Sequence, residues 1–314
     1  MKNKITVTGA NILFFIFVML FLVFQIVLVV LSIIYGADYI DRNIYPVLLV
    51  NQYVLILIPV LVFMRAGNYS FKEVFRINSP GILPGILIVF CSLVAYPIAN
   101  FINCVVVYLL QFIGKIPAQP IPVPQNYTEL AVGILIVAVS PAICEEMLHR
   151  GVLLKAYENR GSIKAVFITS VIFGFFHFDI TNFFGPIFLG ILIGYYVIRT
   201  NSIFAGMLAH FINNAFAEVL QYLARNDVPA EKTITIQLPE LGEAAVAGAV
   251  GMLILWVLLI AFKHVTKERA VLKPSIAGVK EDVISVVSHW PIIVVLVFYL
   301  LLGGLTILSM MLEK

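Results

Sequence analysis

The sequence predicts an all-α integral membrane protein, built as a polytopic bundle of eight or nine transmembrane helices. The first observation is composition: 61% of the 314 residues are hydrophobic and only 12% are charged. A soluble domain usually has about 45–50% apolar and about 25% charged residues. The second is that apolar stretches close to the roughly 20 residues needed to cross a bilayer recur along the chain. These stretches must be helical, because unpaired backbone groups are too costly in hydrocarbon.

Nine apolar segments are candidates for these helices. They cover residues 11–36, 46–64, 81–113, 129–154, 162–178, 183–199, 203–223, 243–262 and 290–312. The first is longer than the apolar part of a signal peptide and has no clear cleavage site, so we expect it to be retained. The polar stretch 65–80 is expected to lie on the surface as a connector.

The distribution of basic residues predicts the orientation. Of the 20 Lys and Arg, Arg150 lies within a predicted span and is set aside. Of the others, 14 lie in the N-terminal segment and in the loops expected on the same side, whereas 5 lie on the opposite side. Because cytoplasmic loops are enriched in Lys and Arg, we expect a cytoplasmic N-terminus. The loop 263–289 is expected on the same side.

Charge and cysteine content exclude other classes of protein. The formal net charge of +3 is small and dispersed, so no nucleic-acid partner is expected. The three cysteines, Cys91, Cys104 and Cys144, are an odd number within apolar stretches. A disulfide framework is therefore not expected.

Ionisable and amide side chains inside the predicted spans are the candidates for function, because such groups are expensive in a bilayer. They are Glu145, Glu146, His149 and Arg150 in the fourth span, His177 at the end of the fifth, and His210, Asn213, Asn214 and Glu218 in the seventh. Glu146 and Arg150 are i,i+4 neighbours with the acid first, the favourable order for an ion pair. Glu145 points about 100° away from Glu146. We therefore expect Glu146 to be charge-compensated and Glu145 to face a cavity as a general base.

Depth in the membrane groups several of these residues. At about 1.5 Å per residue, Glu145, His177 and His210 lie about 13–20 Å from the cytoplasmic ends of their helices, so they can meet inside the bundle. A Glu–Arg pair can also be only a packing clamp, and a membrane histidine can simply bond a neighbouring helix. We expect an interfacial position for His149 and a solvated or structural role for Glu218.

Other small and polar residues in the spans are expected to serve helix packing. Gly190 and Gly194 form a small-x-x-x-small pair that allows close approach of two helices. A further set could line a cavity, although hydrogen bonding between helices is the simpler interpretation. This set is Asn51, Gln52, Asn100 and Asn103.

Three short motifs resemble the family of CAAX prenyl protease 2 and Abi intramembrane proteases, abbreviated CPBP. Glu-Glu-x-x-x-Arg appears as Glu145 to Arg150, Phe-x-x-x-His as Phe173 to His177, and His-x-x-x-Asn as His210 to Asn214. Each motif alone is weak, but their order on successive predicted helices is specific. The resemblance divides the chain into N-terminal helices at 1–127, a catalytic core at 128–223 and C-terminal loops and helices at 224–314.

The resemblance implies an intramembrane endopeptidase with its catalytic site inside the bundle. Glu145 and His177 would activate a water molecule, while His210 and Asn214 would stabilise the oxyanion, with Glu146 and Arg150 in support. The substrate would be a membrane-associated peptide or a lipidated protein, cleaved as in CAAX processing or peptide maturation. The expected location is a bacterial plasma membrane.

Three questions stay open at this stage. Zinc or another divalent metal could be held by Glu145, His177 and His210, although we favour a metal-free reaction because His-Glu-x-x-His is absent. The alternative functions are a membrane transporter and a non-catalytic bacteriocin-immunity protein with the same fold. A Cys144–His nucleophile is a further alternative, but Cys144 is expected to pack as a small apolar residue.

Overall fold

The protein folds as an all-α bundle in a computed structural model that describes residues 3–118, 122–226, 233–270, 272–276 and 278–312. Among these residues, seven helices are long and apolar enough to cross a membrane, and two shorter apolar helices accompany them. The prediction of an all-α polytopic membrane protein is therefore confirmed.

The seven long helices and the two shorter ones, α5 and α6, follow the predicted segments closely. In the described part of the chain they are α1 Val7–Tyr35, α2 Ile44–Ala66, α3 Ile82–Leu110, α4 Tyr127–Arg160, α5 Ser162–Phe176, α6 Phe184–Thr200, α7 Ile203–Leu223, α8 Leu238–Val265 and α9 Trp290–Leu312. Short helices cover Tyr39–Arg42, Phe71–Val74 and Val279–Val287. The two-residue strands Ile116–Pro117 and Thr233–Ile234 pair antiparallel between the loops after α3 and before α8.

The ends of α1 show how local sequence sets helix boundaries. Thr6 Oγ1 accepts a hydrogen bond from the Gly9 amide at 3.0 Å, which satisfies one of the free N–H groups of the first turn. At the other end the backbone of Gly36 has φ 109°. Glycine adopts this conformation without the steric penalty of a Cβ atom, so the helix stops there.

Helices α5 and α6 pack closely because small residues face α5. A Cβ atom added to Gly190 would lie 3.1 Å from Ser170, and one added to Gly194 would lie 3.0 Å from Val166. Both glycines of the predicted small-x-x-x-small pair therefore lie at the helix–helix contact. This contact brings the backbone of α6 within reach of the polar residues of α4.

Two of the long helices contain π-helical stretches, in which the hydrogen bonds run from residue i to i+5. In α2 the stretch is Val50–Leu57. In α4 there are two, Ile134–Val139 and Met147–Leu153, and the α-helical turn Ser140–Glu146 lies between them. π-helical turns are rare and are often found at functional sites.

The connector 65–80 is more buried than its polarity predicts. Phe75 and Arg76 are only 3% and 4% exposed. The Arg76 guanidinium donates to the Arg150 carbonyl at 3.3 Å and pairs with Glu158 at 2.5 Å, while Phe75 packs directly against Gly151. The prediction of a surface connector is wrong for these two residues, because Arg76 finds polar partners at the end of α4.

The orientation of the bundle stays a prediction, and cysteine labelling tests it. In a variant without Cys91, Cys104 and Cys144, we expect Lys273→Cys to resist a membrane-impermeant maleimide in intact cells. Tyr127→Cys is the matched control, since Tyr127 is 79% exposed and begins α4 on the side predicted to be opposite the N-terminus. Labelling of position 273 from outside would contradict the cytoplasmic N-terminus.

Candidate active site

One cavity inside the bundle collects the side chains that were selected as catalytic candidates. It has a volume of about 410 Å³ and is lined by Glu145 from α4, His177 after α5, and His210 and Asn214 from α7. Asn213 and three further asparagines line the same cavity: Asn100, Asn103 and Asn182. Residues that are distant in sequence are thus brought to one cavity.

Glu146 lies at the centre of a buried polar cluster beside this cavity. Its Oε1 accepts hydrogen bonds from Arg150 Nη1 at 2.7 Å and from His210 Nδ1 at 2.9 Å. Arg150 also donates to the Gly190 carbonyl at 3.3 Å, and its guanidinium lies 4.5 Å from the centre of the Phe173 ring. The i,i+4 pair expected from the sequence is present, and Glu146 additionally orients His210.

His210 is held between two carboxylates. Because Glu146 occupies Nδ1, the ring nitrogen left for chemistry is Nε2. This atom lies 3.9 Å from Glu145 Oε2, too far for a hydrogen bond. Both residues line the cavity.

His177 follows the last residue of α5, Phe176, and forms its C-cap. Its Nδ1 lies 2.9 Å from the Phe173 carbonyl oxygen. A carbonyl can only accept, so Nδ1 carries the hydrogen and Nε2 of a neutral ring is an acceptor. The Phe-x-x-x-His spacing therefore fixes the tautomer of His177, because it places the carbonyl of Phe173, four residues earlier, against Nδ1.

Asn214 is held by the helix opposite. Its Nδ2 donates to the Val137 carbonyl at 3.0 Å, and its Oδ1 accepts from Asn213 at 3.3 Å. An amide nitrogen has two hydrogens, so a second N–H is left for a group in the cavity. Val137 belongs to the π-helical stretch Ile134–Val139.

The structure corrects the prediction for His149 and selects one of the two roles predicted for Glu218. His149 is fully buried rather than interfacial, with its ring against Phe14, Phe173 and Phe176. The reason is that α4 continues to Arg160, so position 149 is far from the helix end. Glu218 is 2% exposed, because it packs against Gly133 where α7 meets α4, and only the structural half of its prediction fits.

Sequence reasoning did not single out Gln52 and Asn182 as site residues. Gln52 Nε2 donates to Glu145 Oε1 at 2.7 Å, and Asn182 Oδ1 accepts from Asn103 Nδ2 at 2.9 Å. Gln52 was expected to bond a neighbouring helix, which it does, but its partner on that helix is the candidate base. Its position in an apolar span was the available signal.

Glu145, His177 and His210, the residues predicted as ligands if a metal is present, line one cavity. In the part of the chain that the structure describes, they do not form a group of three metal ligands. His210 turns Nδ1 to Glu146 and His177 turns Nδ1 to the Phe173 carbonyl, so Nε2 is the nitrogen left on each ring. The chemical steps below use these side chains alone.

Comparison with known families gives an independent result. Residues 127–216 match the family model described as type II CAAX prenyl endopeptidase Rce1-like. This segment is therefore similar to an Rce1-like domain. The resemblance that the three motifs indicate is thereby confirmed, and it supports an intramembrane protease as the class of protein. No curated protein and no solved structure matches the chain.

The matched segment contains the selected residues of all three motifs, from Glu145 in α4 to Asn214 in α7. It spans α4 to α6 and most of α7. Helices α1 to α3, which supply Gln52, Asn100 and Asn103, lie outside the matched segment. The cavity is thus built partly by the matched segment and partly by the preceding helices.

Proposed function

We propose that the chain is an intramembrane endopeptidase that hydrolyses a peptide bond in a membrane-associated peptide or protein. The observation that carries the proposal is that Glu145, His177, His210 and Asn214 line one buried cavity. This set combines proton acceptors with hydrogen-bond donors, which hydrolysis of an amide requires.

The first step is the attack of water on the scissile carbonyl. A water between Glu145 Oε2 and His177 Nε2 would donate to both, because both atoms are acceptors in this arrangement. Glu145 takes the proton as the hydroxide adds to the carbonyl carbon. The carboxyl group then gives this proton to the leaving amine as the C–N bond breaks, so the carboxylate is regenerated.

The second requirement is stabilisation of the oxyanion. His210 can donate from Nε2 only when both ring nitrogens carry hydrogen, since Nδ1 already donates to Glu146. In that form the cluster contains two carboxylates, Glu145 and Glu146, and two cations, Arg150 and His210, and is neutral overall. The free N–H of Asn214 is the second donor. Such donors act strongly in a site that excludes bulk water.

The lining of the cavity supports a peptide as the substrate. Peptide backbone groups need hydrogen-bond partners in a membrane, and the asparagine side chains Asn100, Asn103 and Asn182 line the wall. Lipidated proteins cleaved as in CAAX processing, and peptides that undergo maturation, are the two substrate groups that we propose. The family match does not support the transporter or immunity alternatives.

Asn214→Ala tests the oxyanion role. We expect turnover to fall by about 10²–10³-fold, as is typical when one oxyanion donor is removed, while substrate affinity changes little. The measurement is mass spectrometry of products from membrane-anchored peptides, together with binding affinities, for purified wild type and variant.

A transporter would give a different result in this experiment. An asparagine in a transport pathway should alter binding without any cleaved product. Turnover by Asn214→Ala at the wild-type rate would contradict the oxyanion role. Absence of product from the wild type across a broad set of membrane peptides would contradict the proposed function itself.

A further inference from the structure

We propose that Gln52 is a positioning residue for the base Glu145, an inference that rests on the proposed function. Gln52 Nε2 donates to Glu145 Oε1 at 2.7 Å, and both side chains are buried. Gln52 comes from α2 and lies outside the segment 127–216 that matches the protease family. The catalytic motifs therefore give no indication of it.

The hydrogen bond decides which carboxylate oxygen of Glu145 is left for water. Gln52 occupies Oε1, so Oε2, on the side of His210, is the oxygen available in the cavity. Glu145 lines the cavity, whereas Gln52 is not among the lining residues. Gln52 thus acts through Glu145 rather than by touching the substrate.

The orientation of the Gln52 amide supports this role. Its Oε1 is buried and has no hydrogen-bond partner within the described residues, and an unsatisfied buried acceptor is destabilising. Turning the amide over would place its oxygen against the carboxylate of Glu145. The N–H contact with Glu145 is therefore maintained although the other end of the amide is left without a partner.

A second hydrogen bond joins α2 to α4 without Gln52. The next residue, Tyr53, places its hydroxyl 3.2 Å from Ser140 Oγ on α4. Gln52 and Tyr53 both lie in the π-helical stretch Val50–Leu57. Tyr53 therefore supplies a hydrogen bond between the same two helices that does not involve Glu145, and Tyr53→Phe is a matched control.

The first arm of the test compares Gln52→Met with Tyr53→Phe. Methionine has a similar length and shape but cannot donate, and its substitution also removes the unsatisfied acceptor. We expect Gln52→Met to accumulate like the wild type and to lose kcat by about 10–100-fold, the range typical for residues that orient the ligands of a metal site. KM should stay within about twofold of the wild type, because Gln52 does not touch the substrate and its loss leaves substrate binding unchanged. Tyr53→Phe should keep both constants.

The second arm does not depend on proteolysis. The rate at which dicyclohexylcarbodiimide labels Glu145 is followed by mass spectrometry in purified wild type, Gln52→Met and Tyr53→Phe, with Glu145→Gln to confirm the labelled site. We expect labelling to be several-fold faster in Gln52→Met alone, because Oε1 is then unoccupied. Equal labelling in all three proteins would overturn the proposal.

The two arms also separate this inference from the proposed function. An active wild type together with full kcat in Gln52→Met would overturn the positioning role. If the wild type cleaves no peptide but labelling is faster in Gln52→Met, the proposed protease function is contradicted. The hydrogen bond by which Gln52 positions Glu145 is then still supported.

Discussion

Replacement of Glu145 by Gln is expected to abolish peptide hydrolysis while the protein still accumulates in the membrane. The amide cannot take a proton from water, and loss of a general base lowers rates by about 10²–10⁴-fold. Stability should change little, because the amide oxygen can still accept from Gln52, the residue that donates to Glu145 at 2.7 Å.

The measurement is the amount of cleaved peptide per folded protein, by mass spectrometry. Glu243→Gln is the matched control, since Glu243 is an exposed carboxylate at the start of α8. The control should keep wild-type activity. Hydrolysis by Glu145→Gln within tenfold of the wild-type rate would contradict its role as the base.

Replacement of Glu146 by Gln is expected to reduce folded protein along with activity. Arg150 is 2% exposed and pairs with Glu146 at 2.7 Å, so the substitution leaves a buried cation without its counter-charge. Breaking one partner of a buried pair costs about 3–5 kcal/mol. The new NH₂ group would also lie where Glu146 Oε2 now packs against Gly206.

A double variant separates charge from shape in this prediction. Glu146→Gln combined with Arg150→Met removes both charges, and we expect it to recover part of the folded protein without recovering activity. Folded protein is measured as the monodisperse fraction after detergent extraction, against the Glu243→Gln control. Full abundance of Glu146→Gln with complete loss of activity would show that Glu146, and not only Glu145, takes part in the reaction.

The sequence predicted the helical bundle well because the signals are local. Apolar length alone identifies a membrane span, and the observed α7, Ile203–Leu223, begins and ends at the predicted residues. The i,i+4 spacing likewise predicted the contact between Glu146 and Arg150. Each of these features depends on one helix and its own periodicity.

The features that the sequence did not predict depend on two helices or on an exact helix end. His149 appeared interfacial because α4 was expected to end near 154, yet it continues to Arg160. The bond from Gln52 to Glu145 joins residues 93 positions apart. Hydropathy contains no information on which polar residue of α2 faces which residue of α4.

The two π-helical stretches of α4 have a consequence for how this span can vary in length. A π-helical turn contains more residues than an α-helical turn, and Met147–Leu153 is such a stretch immediately after Glu146. Deleting one residue there would favour ordinary α-helix, because the wide turn holds about one residue more than an α-helical turn. The helix beyond it would therefore keep nearly the same face toward Glu145. A deletion in the α-helical turn Ser140–Glu146 would instead turn everything beyond it by about 100°, so the π-helical stretch is the part of this span that tolerates a change of length best.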